Sequence, residues 1–441
     1  KDEAITLLTS LLDNKLNFIA LDQPADYQKY IKSNSELASK FDILELKEVD
    51  SSISLQILAD EAMKLEKQSK IDISFSAIKR VTDYAYKFDY EKKMPQKGLD
   101  LLKEALILAR NKTLNYLDSS IVEELLFQKL GIKVGSLQKD EQQILSKLEE
   151  NLKERIVGQP EAIAAITSAI KRSRSGLTNQ KKPLASFLFY GPTGVGKTEL
   201  AKAIADLYYG SENMMIRLDM SEYQEKQNLI RIIGGYNSDG TFTKGFLADS
   251  IRSKPFSLVL LDEIEKANPK VLDLFLSVLD DGYFKDGLDR KIDFTNTVII
   301  MTSNVGSKDI QKLFFNKSSY EDTRIQSVSI LSNYFRPEFL NRFDKLILFR
   351  YLSLLEVSKI VEKFMVEINY KLTEKGILIH WDNKTLEELA KAGYNPIWGA
   401  RELRRVVQER IEDLIADKII LGEVHEGDEV FLEGLTIKSI K

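Results

Sequence analysis

The sequence has 441 residues, of which 43% are hydrophobic and 29% charged, as expected for a globular chain of about two to four domains. Its 63 lysines and arginines against 67 aspartates and glutamates give a net charge of −4, which weighs against a dedicated nucleic-acid binder. There is no cysteine, so disulfides, thiolate metal ligands and thiol nucleophiles are excluded and a reducing compartment is expected. No apolar run approaches the roughly 18 residues of a membrane span. The two histidines, His380 and His425, are far apart in the sequence, which disfavours a shared metal site.

The first third of the chain is predicted to be mostly helical. Residues 1 to 45 combine a short helical pattern with KLNFIAL, which predicts a strand. Apolar residues then recur every three or four positions from residue 53 to residue 110, and Pro95 fits a helix start. Residues 111–150 are charged and predict a mostly helical connector.

Residues 151–350 have a different pattern. Four apolar runs are separated by helical or loop sequence: SFLFY, MMIRLDM, FSLVLLDE and NTVIIMTSN. Such strands alternating with helices predict an α/β fold in which a parallel sheet is covered by helices on both faces. From 351 to 441 amphipathic helices return, and DEVFLEGLTIKSI at the end predicts a strand pair.

A phosphate-binding loop is predicted between the first of these strands and the helix after it. The pattern Gly-x-x-x-x-Gly-Lys-Thr lets backbone N–H groups surround phosphate oxygens at a helix N-terminus. Lys197 can reach the β- and γ-phosphates of ATP, and the Thr198 hydroxyl can ligate Mg²⁺. The predicted nucleotide-binding residues are Gly191, Pro192, Thr193, Gly194, Val195, Gly196, Lys197 and Thr198.

Polar side chains follow two further strands. Asp262 and Glu263 end FSLVLLDE, and Asn304 ends NTVIIMTSN. Because parallel strands end at the edge where the phosphate-binding loop opens, these side chains can face the nucleotide. Asp262 would help to hold Mg²⁺, and Glu263 would orient and polarise the attacking water. Asn304 would orient the water or contact the γ-phosphate. The alternatives are a helix cap for the acidic pair and a strand-closing turn for Asn304.

Three arginines are candidate phosphate contacts because a guanidinium suits phosphate charge. Arg336 and Arg342 lie in YFRPEFLNRFDKLILF, and one of them, supplied by a neighbouring subunit, would act as an arginine finger. Arg401 starts a C-terminal amphipathic helix, from which it could contact the γ-phosphate. For Arg336 and Arg342 the alternative is a helix-surface salt bridge, which is favoured for Arg336, and for Arg401 it is an ordinary basic helix face.

RIIGGYNSDGTFTKG places two aromatic residues, Tyr236 and Phe242, in a run of glycine and small polar residues. Such a run favours turns over sheet ladders. The aromatic rings either contact a substrate through their apolar faces or pack into their own module.

Together, GPTGVGKTEL, LLDEIEKANP, VIIMTSNVGS, FRPEFLNRFD and GYNPIWGARELRR resemble the Clp family of AAA+ protein unfoldases. The match is to the second ATPase module of the ClpA, ClpB and ClpC type. The resemblance implies a nucleotide-binding subdomain over residues 151–350 and a helical lid over residues 351–441. The implied roles are Walker A for Lys197 and Thr198, Walker B for Asp262 and Glu263, sensor one for Asn304, the trans-acting finger for Arg342, sensor two for Arg401, and adenine contacts for Ile156 and Val157.

The resemblance also implies an assembly and a substrate. Such proteins form homo-hexameric rings that use ATP and Mg²⁺ to pull unfolded or misfolded polypeptide through a central pore. The implied location is the cytoplasm or an organelle of bacterial origin, with neither nucleic acid nor membrane as partner. The family's pore loop carries an aromatic flanked by small residues, typically Gly-Tyr-Val-Gly, and this sequence lacks that tetrad.

The front of the chain resembles the end of the family's first ATPase module, with a remnant of its large subdomain over residues 1–50 and its lid over residues 51–110. Ser39-Lys40-Phe41 stands where relatives carry an arginine pair before the phenylalanine, and no first phosphate-binding loop is present. The first module is therefore predicted to be truncated or degenerate. Residues 111–150 form a short connector where ClpB-type members insert a coiled coil, which favours a ClpA- or ClpC-like subtype.

Two questions stay open at the level of sequence. Leu313, Phe314 and Phe315 are either the tripeptide loop that docks a ClpP-like peptidase or ordinary helix packing. The leading function is an ATP-driven protein unfoldase. The alternatives are a nucleotide-switched scaffold that threads nothing, which the altered loop leaves open, and a nucleic-acid-directed motor, which the acidic balance and the lack of an aromatic-basic stripe disfavour.

Overall fold

The computed structural model describes residues 19–22, 27, 31–32, 34–44, 46, 48–88, 93–130, 139–176, 181–237, 241–315, 319–395 and 400–440. The chain divides into two compact units, residues 1–122 and 123–441. Most of the predicted strand KLNFIAL lies outside the described residues. Its described part, residues 19–21, has no regular structure.

The first unit is mainly helical. Its helices and short strands are Ser35–Ala38 (α1), Ser51–Ser69 (α2), Asp72–Ile73 (β1), Phe75–Phe88 (α3), Gln96–Asn111 (α4) and Tyr116–Leu117 (β2), and Ser119–Leu130 (α5) begins at its end. The Asp50 side chain caps α2 by accepting hydrogen bonds from the backbone N–H groups of Ser52 and Ile53. Leu58 and Leu102 are fully buried, as the predicted helical periodicity requires.

The second unit begins with an α/β arrangement. Its helices are Lys139–Arg155 (α6), Pro160–Arg174 (α7), Lys197–Tyr209 (α8), Leu229–Ile233 (α9), Phe246–Ser253 (α10), Pro269–Asp281 (α11), Ser307–Phe315 (α12), Tyr320–Leu331 (α13) and Pro337–Leu340 (α14). Its strands are Ala185–Tyr190 (β3), Met215–Asp219 (β4), Gly235–Tyr236 (β5), Phe242–Thr243 (β6), Leu258–Asp262 (β7), Tyr283–Lys285 (β8), Lys291–Asp293 (β9), Val298–Ser303 (β10) and Lys345–Leu348 (β11).

Five of these strands form one parallel sheet in the order β11-β3-β10-β7-β4. Every residue of β3 and β10 is buried, which is expected of central strands covered on both faces. The predicted parallel sheet is confirmed, and β11 is a fifth strand that the sequence did not reveal. In the register of the sheet, Tyr190 pairs with Ser303 and Asp219 pairs with Asp262. The sheet therefore brings the segments that follow β3, β7 and β10 to the same edge.

The C-terminal part has its own core. It comprises Leu354–Thr373 (α15), Leu378–Trp381 (β12), Asn383–Gly393 (α16), Leu403–Val407 (α17), Asp413–Ile420 (α18), Glu429–Glu433 (β13) and Thr436–Ile440 (β14). A capping box formed by Ser353 and Glu356 starts α15. The predicted strand pair, β13 and β14, is joined by β12 into a three-stranded sheet. Among the described helices, none combines the length and apolarity needed to cross a bilayer.

Candidate active site

The loop between β3 and α8 has a backbone that requires glycine. Gly191, Gly194 and Gly196 have φ values of +132°, +69° and +99°, a region that residues with a Cβ rarely adopt. A Cβ on Gly191 would also lie 2.5 Å from the carbonyl oxygen of Phe349. Glycine at position 191 thus allows the close approach of two backbone segments at the start of the loop.

We expect Gly191→Ala to weaken ATP binding by at least about tenfold, because a strain of about 1–3 kcal/mol adds to the clash with Phe349. The measurements are equilibrium binding of a fluorescent ATP analogue and thermal melting. Gly210→Ala is the matched control. Gly210 caps the C-terminal end of α8, the helix that follows the loop; its φ is +86°, and a Cβ there would lie in open space. Equal losses of ATP affinity in the two variants would contradict the argument.

Lys197 is buried at the start of α8, with 8% of its surface exposed. Its Nζ donates hydrogen bonds to the carbonyl oxygens of Gly191 at 2.7 Å and Pro192 at 2.8 Å, and to Asn304 Oδ1 at 2.7 Å. Burial lowers the pKa of Lys197 to about 7. The nearby carboxylates of Glu265, Asp262 and Glu263 act in the opposite direction and raise this pKa. Three acceptors match the three donors of an ammonium group. Lys197 and Asn304 are therefore in direct contact.

The acidic pair at the end of β7 is held by the neighbouring strands. Asp262 accepts hydrogen bonds from the Thr302 hydroxyl through Oδ1 and from Arg217 Nη2 through Oδ2, the latter at 2.7 Å. The backbone N–H of Glu263 donates to the same Thr302 oxygen at 3.1 Å. Thr302 thus fixes two successive residues of the site from β10.

Glu263 is a non-glycine residue in the left-handed region, with φ +56°. Such a backbone costs free energy and is concentrated at functional sites. The Glu263 carboxylate forms an ion pair with Lys266, and about a third of its side chain, 32%, is exposed. The residue directly after β7 therefore has a strained backbone, and part of its side chain faces solvent.

The C-terminal lid contacts the phosphate-binding loop directly. The backbone N–H of Ala400 donates to the carbonyl oxygen of Gly194 at 3.0 Å. Arg401 follows Ala400 and is exposed, so the predicted sensor arginine begins next to the loop. Thr198, the predicted Mg²⁺ ligand, is half-buried in the first turn of α8.

The segment between α6 and α7 also reaches the loop. Ile156 is buried and Val157 is half-buried. The buried Gln159 side chain nearby donates to the carbonyl oxygens of Val195 at 3.3 Å and Arg350 at 2.8 Å. Gln159 therefore links this segment both to the phosphate-binding loop and to Arg350, which precedes helix α15.

Arg342 lies at the other edge of the sheet. It precedes β11 by three residues, and β11 runs parallel to β3. Its guanidinium pairs with Asp280 and lies 3.6 Å from Glu338, whereas Arg336 is 3.8 Å from Asp273. Neither arginine joins the cluster around Lys197 within its own chain.

Tyr236 and Phe242 lie on opposite strands of the β5–β6 hairpin. Their ring centroids are 5.2 Å apart in an edge-on arrangement, and each residue remains about two-fifths exposed, at 41% and 39%. At the base of the hairpin, a Cβ on Gly287 would lie 2.4 Å from the carbonyl oxygen of Gly234. Close backbone packing therefore holds the base of the hairpin, and both rings remain partly exposed.

The tripeptide Leu313, Phe314 and Phe315 ends helix α12. Phe314 packs against the core of the sheet, and the ring of Phe315 stacks on Tyr351 with centroids 6.5 Å apart. The contacts of Phe314 fit helix packing, whereas Phe315 is 71% exposed.

Sequence reasoning missed three side chains of the site. Arg217 and Thr302 contact Asp262, and Glu265 Oε1 accepts a hydrogen bond from the backbone N–H of Asn304 at 3.1 Å. Thr302 lies two residues before Asn304, and Glu265 lies two residues after Glu263. This closeness in sequence to predicted residues was the signal that could have identified them. Arg217 gave no such signal, because its contact depends on the pairing of β4 with β7.

A glycine loop with a buried lysine, an acidic strand end and an amide at the next strand end define a nucleotide-binding P-loop module of the AAA+ class. Family models match an AAA domain (Cdc48 subfamily) over residues 182–346 and the C-terminal D2-small domain of ClpB protein over residues 352–432. The chain belongs to the Clp family of AAA+ ATPases.

Individual relatives agree with this assignment. The chaperone protein ClpB of Aquifex aeolicus is 45% identical over 71% of this chain and 32% of its own length. The ATP-dependent Clp protease ATP-binding subunit ClpA homolog of Porphyra purpurea is 34% identical over 97% of this chain and 61% of its own length. A closed-state cryo-EM reconstruction of Hsp104 with ATPγS and FITC casein superimposes with a TM-score of 0.81 at 32% identity, covering 99% of this chain and 77% of that one. The chain thus spans about a third to three-fifths of the length of these curated relatives.

Proposed function

We propose that this chain is an ATP-dependent protein unfoldase subunit that hydrolyses ATP at the seams of a homo-hexameric ring and remodels polypeptide substrates. The observation that carries the proposal is the joint position of Lys197, Asn304 and the Asp262–Glu263 pair at one edge of the sheet, with Arg342 at the other edge. In a head-to-tail ring, opposite edges of successive subunits can meet.

Each side chain then has a distinct task. Lys197 holds the β- and γ-phosphates, and Glu263 orients the attacking water and accepts its proton. Asn304 orients the same water or the γ-phosphate, and Arg401 contacts the γ-phosphate from the lid. Arg342 of a neighbouring copy offsets the charge that develops during transfer. Ile156 and Val157 contact the adenine.

A divalent cation fits the donors that are present. The Thr198 hydroxyl and the Asp262 carboxylate supply oxygen atoms, which are the ligands that Mg²⁺ prefers. Bound there, Mg²⁺ would neutralise charge on the phosphate oxygens. Asp262 is kept oriented for this task by Thr302 and Arg217.

The test compares stimulation of ATP hydrolysis by a permanently unfolded protein with stimulation by single-stranded and duplex DNA. We expect only the unfolded protein to stimulate turnover. Stimulation by DNA alone would favour a nucleic-acid motor. ATP binding without turnover would favour a nucleotide-switched scaffold.

We propose that Tyr236 and Phe242 contact the polypeptide, since two adjacent, partly exposed rings on one hairpin offer an apolar surface to any chain. Replacing both with alanine is expected to slow translocation of an unfolded fluorescent reporter by about tenfold, the equivalent of about 1.4 kcal/mol of lost contact. The basal rate of ATP hydrolysis should stay within about twofold of the wild-type rate, because the hairpin is distinct from the site around Lys197 and Asn304.

Tyr370→Ala is the control for removal of an exposed aromatic ring, since Tyr370 lies on the lid helix α15 and is 70% exposed. Unchanged translocation in the double variant would remove these rings from the substrate path. The second candidate function is the nucleotide-switched scaffold, because the two rings pack against each other. A wild-type chain that hydrolyses ATP but does not translocate the reporter would favour the scaffold.

A further inference from the structure

Glu265 lies in the short turn that follows the acidic strand end, three residues after Asp262. Its Oε1 accepts a hydrogen bond from the backbone N–H of Asn304 at 3.1 Å. Its Oε2 is buried and has no hydrogen-bond partner among the residues that the structure describes. A buried polar atom without a partner is uncommon and calls for an explanation, of which a role in catalysis is one.

Glu265 belongs to a connected chain of polar groups. It binds the backbone of Asn304, and the side-chain oxygen of Asn304 accepts from Lys197 Nζ at 2.7 Å. The orientation of this amide follows from chemistry, because the lysine can only donate and the amide oxygen must face it. Among the carboxylates that act on Lys197, Glu265 has the largest effect on its pKa.

We propose that Glu265 is a positioning residue of the ATPase site, which holds the turn after β10 so that the Asn304 amide meets the phosphate end of the nucleotide. The inference rests on the proposed ATP hydrolysis. In this scheme Glu265 acts through its hydrogen bond to the Asn304 backbone and does not itself contact the nucleotide. Its loss displaces Asn304, which lowers the rate of transfer more than the affinity for ATP.

The test measures kcat and KM for ATP in the full chain. Glu265→Ala is expected to lower kcat by about 10–100-fold, the range seen for outer partners that orient functional groups, and to change KM by less than about threefold. Glu265→Gln should recover kcat to within about threefold of wild type, because its amide oxygen can still accept the Asn304 N–H. Glu265→Asp should remain slow, since it keeps the charge but withdraws the oxygen by one methylene. Together the two variants separate position from charge even if the alanine variant fails to fold.

Glu225→Gln, at an exposed position away from these contacts, is the control for a neutralised glutamate. Glu263→Gln is measured in parallel. If wild type hydrolyses ATP, Glu263→Gln does not, and Glu265→Asp matches wild type, the Glu265 proposal fails while the proposed function stands. A Glu265→Gln variant as slow as Glu265→Asp would also overturn it. If wild type itself fails to hydrolyse ATP, the proposed function fails first.

Discussion

Replacing Glu263 with glutamine is expected to stop ATP hydrolysis while leaving ATP binding unchanged. The amide keeps the shape of the side chain but cannot accept a proton from the attacking water, and such a loss lowers rates by about 10²–10⁴-fold. The measurements are phosphate release in a single turnover and equilibrium binding of a fluorescent ATP analogue.

Binding should survive because the contacts that fix the loop do not involve the Glu263 side chain. Lys197 is held by two loop carbonyls and Asn304. The backbone N–H of Glu263 keeps its bond to Thr302 in the variant, since only side-chain atoms change. The one ion pair lost is the pair with Lys266, which is partly exposed and contributes little.

Glu225→Gln, with its exposed side chain, controls for the loss of one negative charge. A Glu263→Gln variant that hydrolyses ATP within about tenfold of the wild-type rate would show that another group activates the water. Loss of ATP binding in this variant would instead place Glu263 among the residues that hold the loop.

The centre of the site could be predicted from the sequence because one contiguous segment defines it. Gly191 to Thr198 form the loop by themselves, and the ends of parallel strands must converge on one edge. The direct Lys197–Asn304 contact agrees with that expectation. The register of the strands then decides which further side chains contact the residues of this site.

The contacts of Arg217, Thr302 and Glu265 depend on such register. Arg217 lies opposite Leu260 on the neighbouring strand, and its long side chain reaches Asp262 two residues further on. A sequence does not specify which residues of two distant strands face each other. The atoms that these side chains contact therefore become visible only once the sheet is assembled.

Strand β11 was missed for a different reason. Its four residues are too few for a periodic pattern, and only two of them are fully buried. The strand is fixed by its neighbour instead, because Asp344 just before it exchanges hydrogen bonds with the backbone and hydroxyl of Ser186. Its presence places Arg342 at the edge of the sheet opposite the phosphate-binding loop.

Two inactive variants, Arg342→Ala and Glu263→Gln, are expected to restore ATP hydrolysis to each other when they are mixed before assembly. Arg342→Ala alone should lower kcat by about 10³–10⁵-fold, the contribution of an arginine finger. The phosphate-binding loop of the same chain lies at the opposite edge of the sheet from Arg342, so we propose that Arg342 completes the site of a neighbouring subunit. In a random one-to-one mixture, about a quarter of the sites pair an intact Glu263 with an intact Arg342 across a head-to-tail seam.

Arg336→Ala is the matched control, because Arg336 lies in the same segment, its side chain is 73% exposed, and its ion pair among the described residues is a long one with Asp273. It should hydrolyse ATP at nearly the wild-type rate, since an exposed pair of this kind contributes little. If the mixture of Arg342→Ala and Glu263→Gln stays as inactive as its components, no site is shared between chains in this way. Recovery in the mixture cannot come from a site built within one chain, because each chain lacks one of the two groups. Recovered hydrolysis would therefore require that Arg342 of one subunit gives up its ion pair with Asp280 and completes the site of the next subunit.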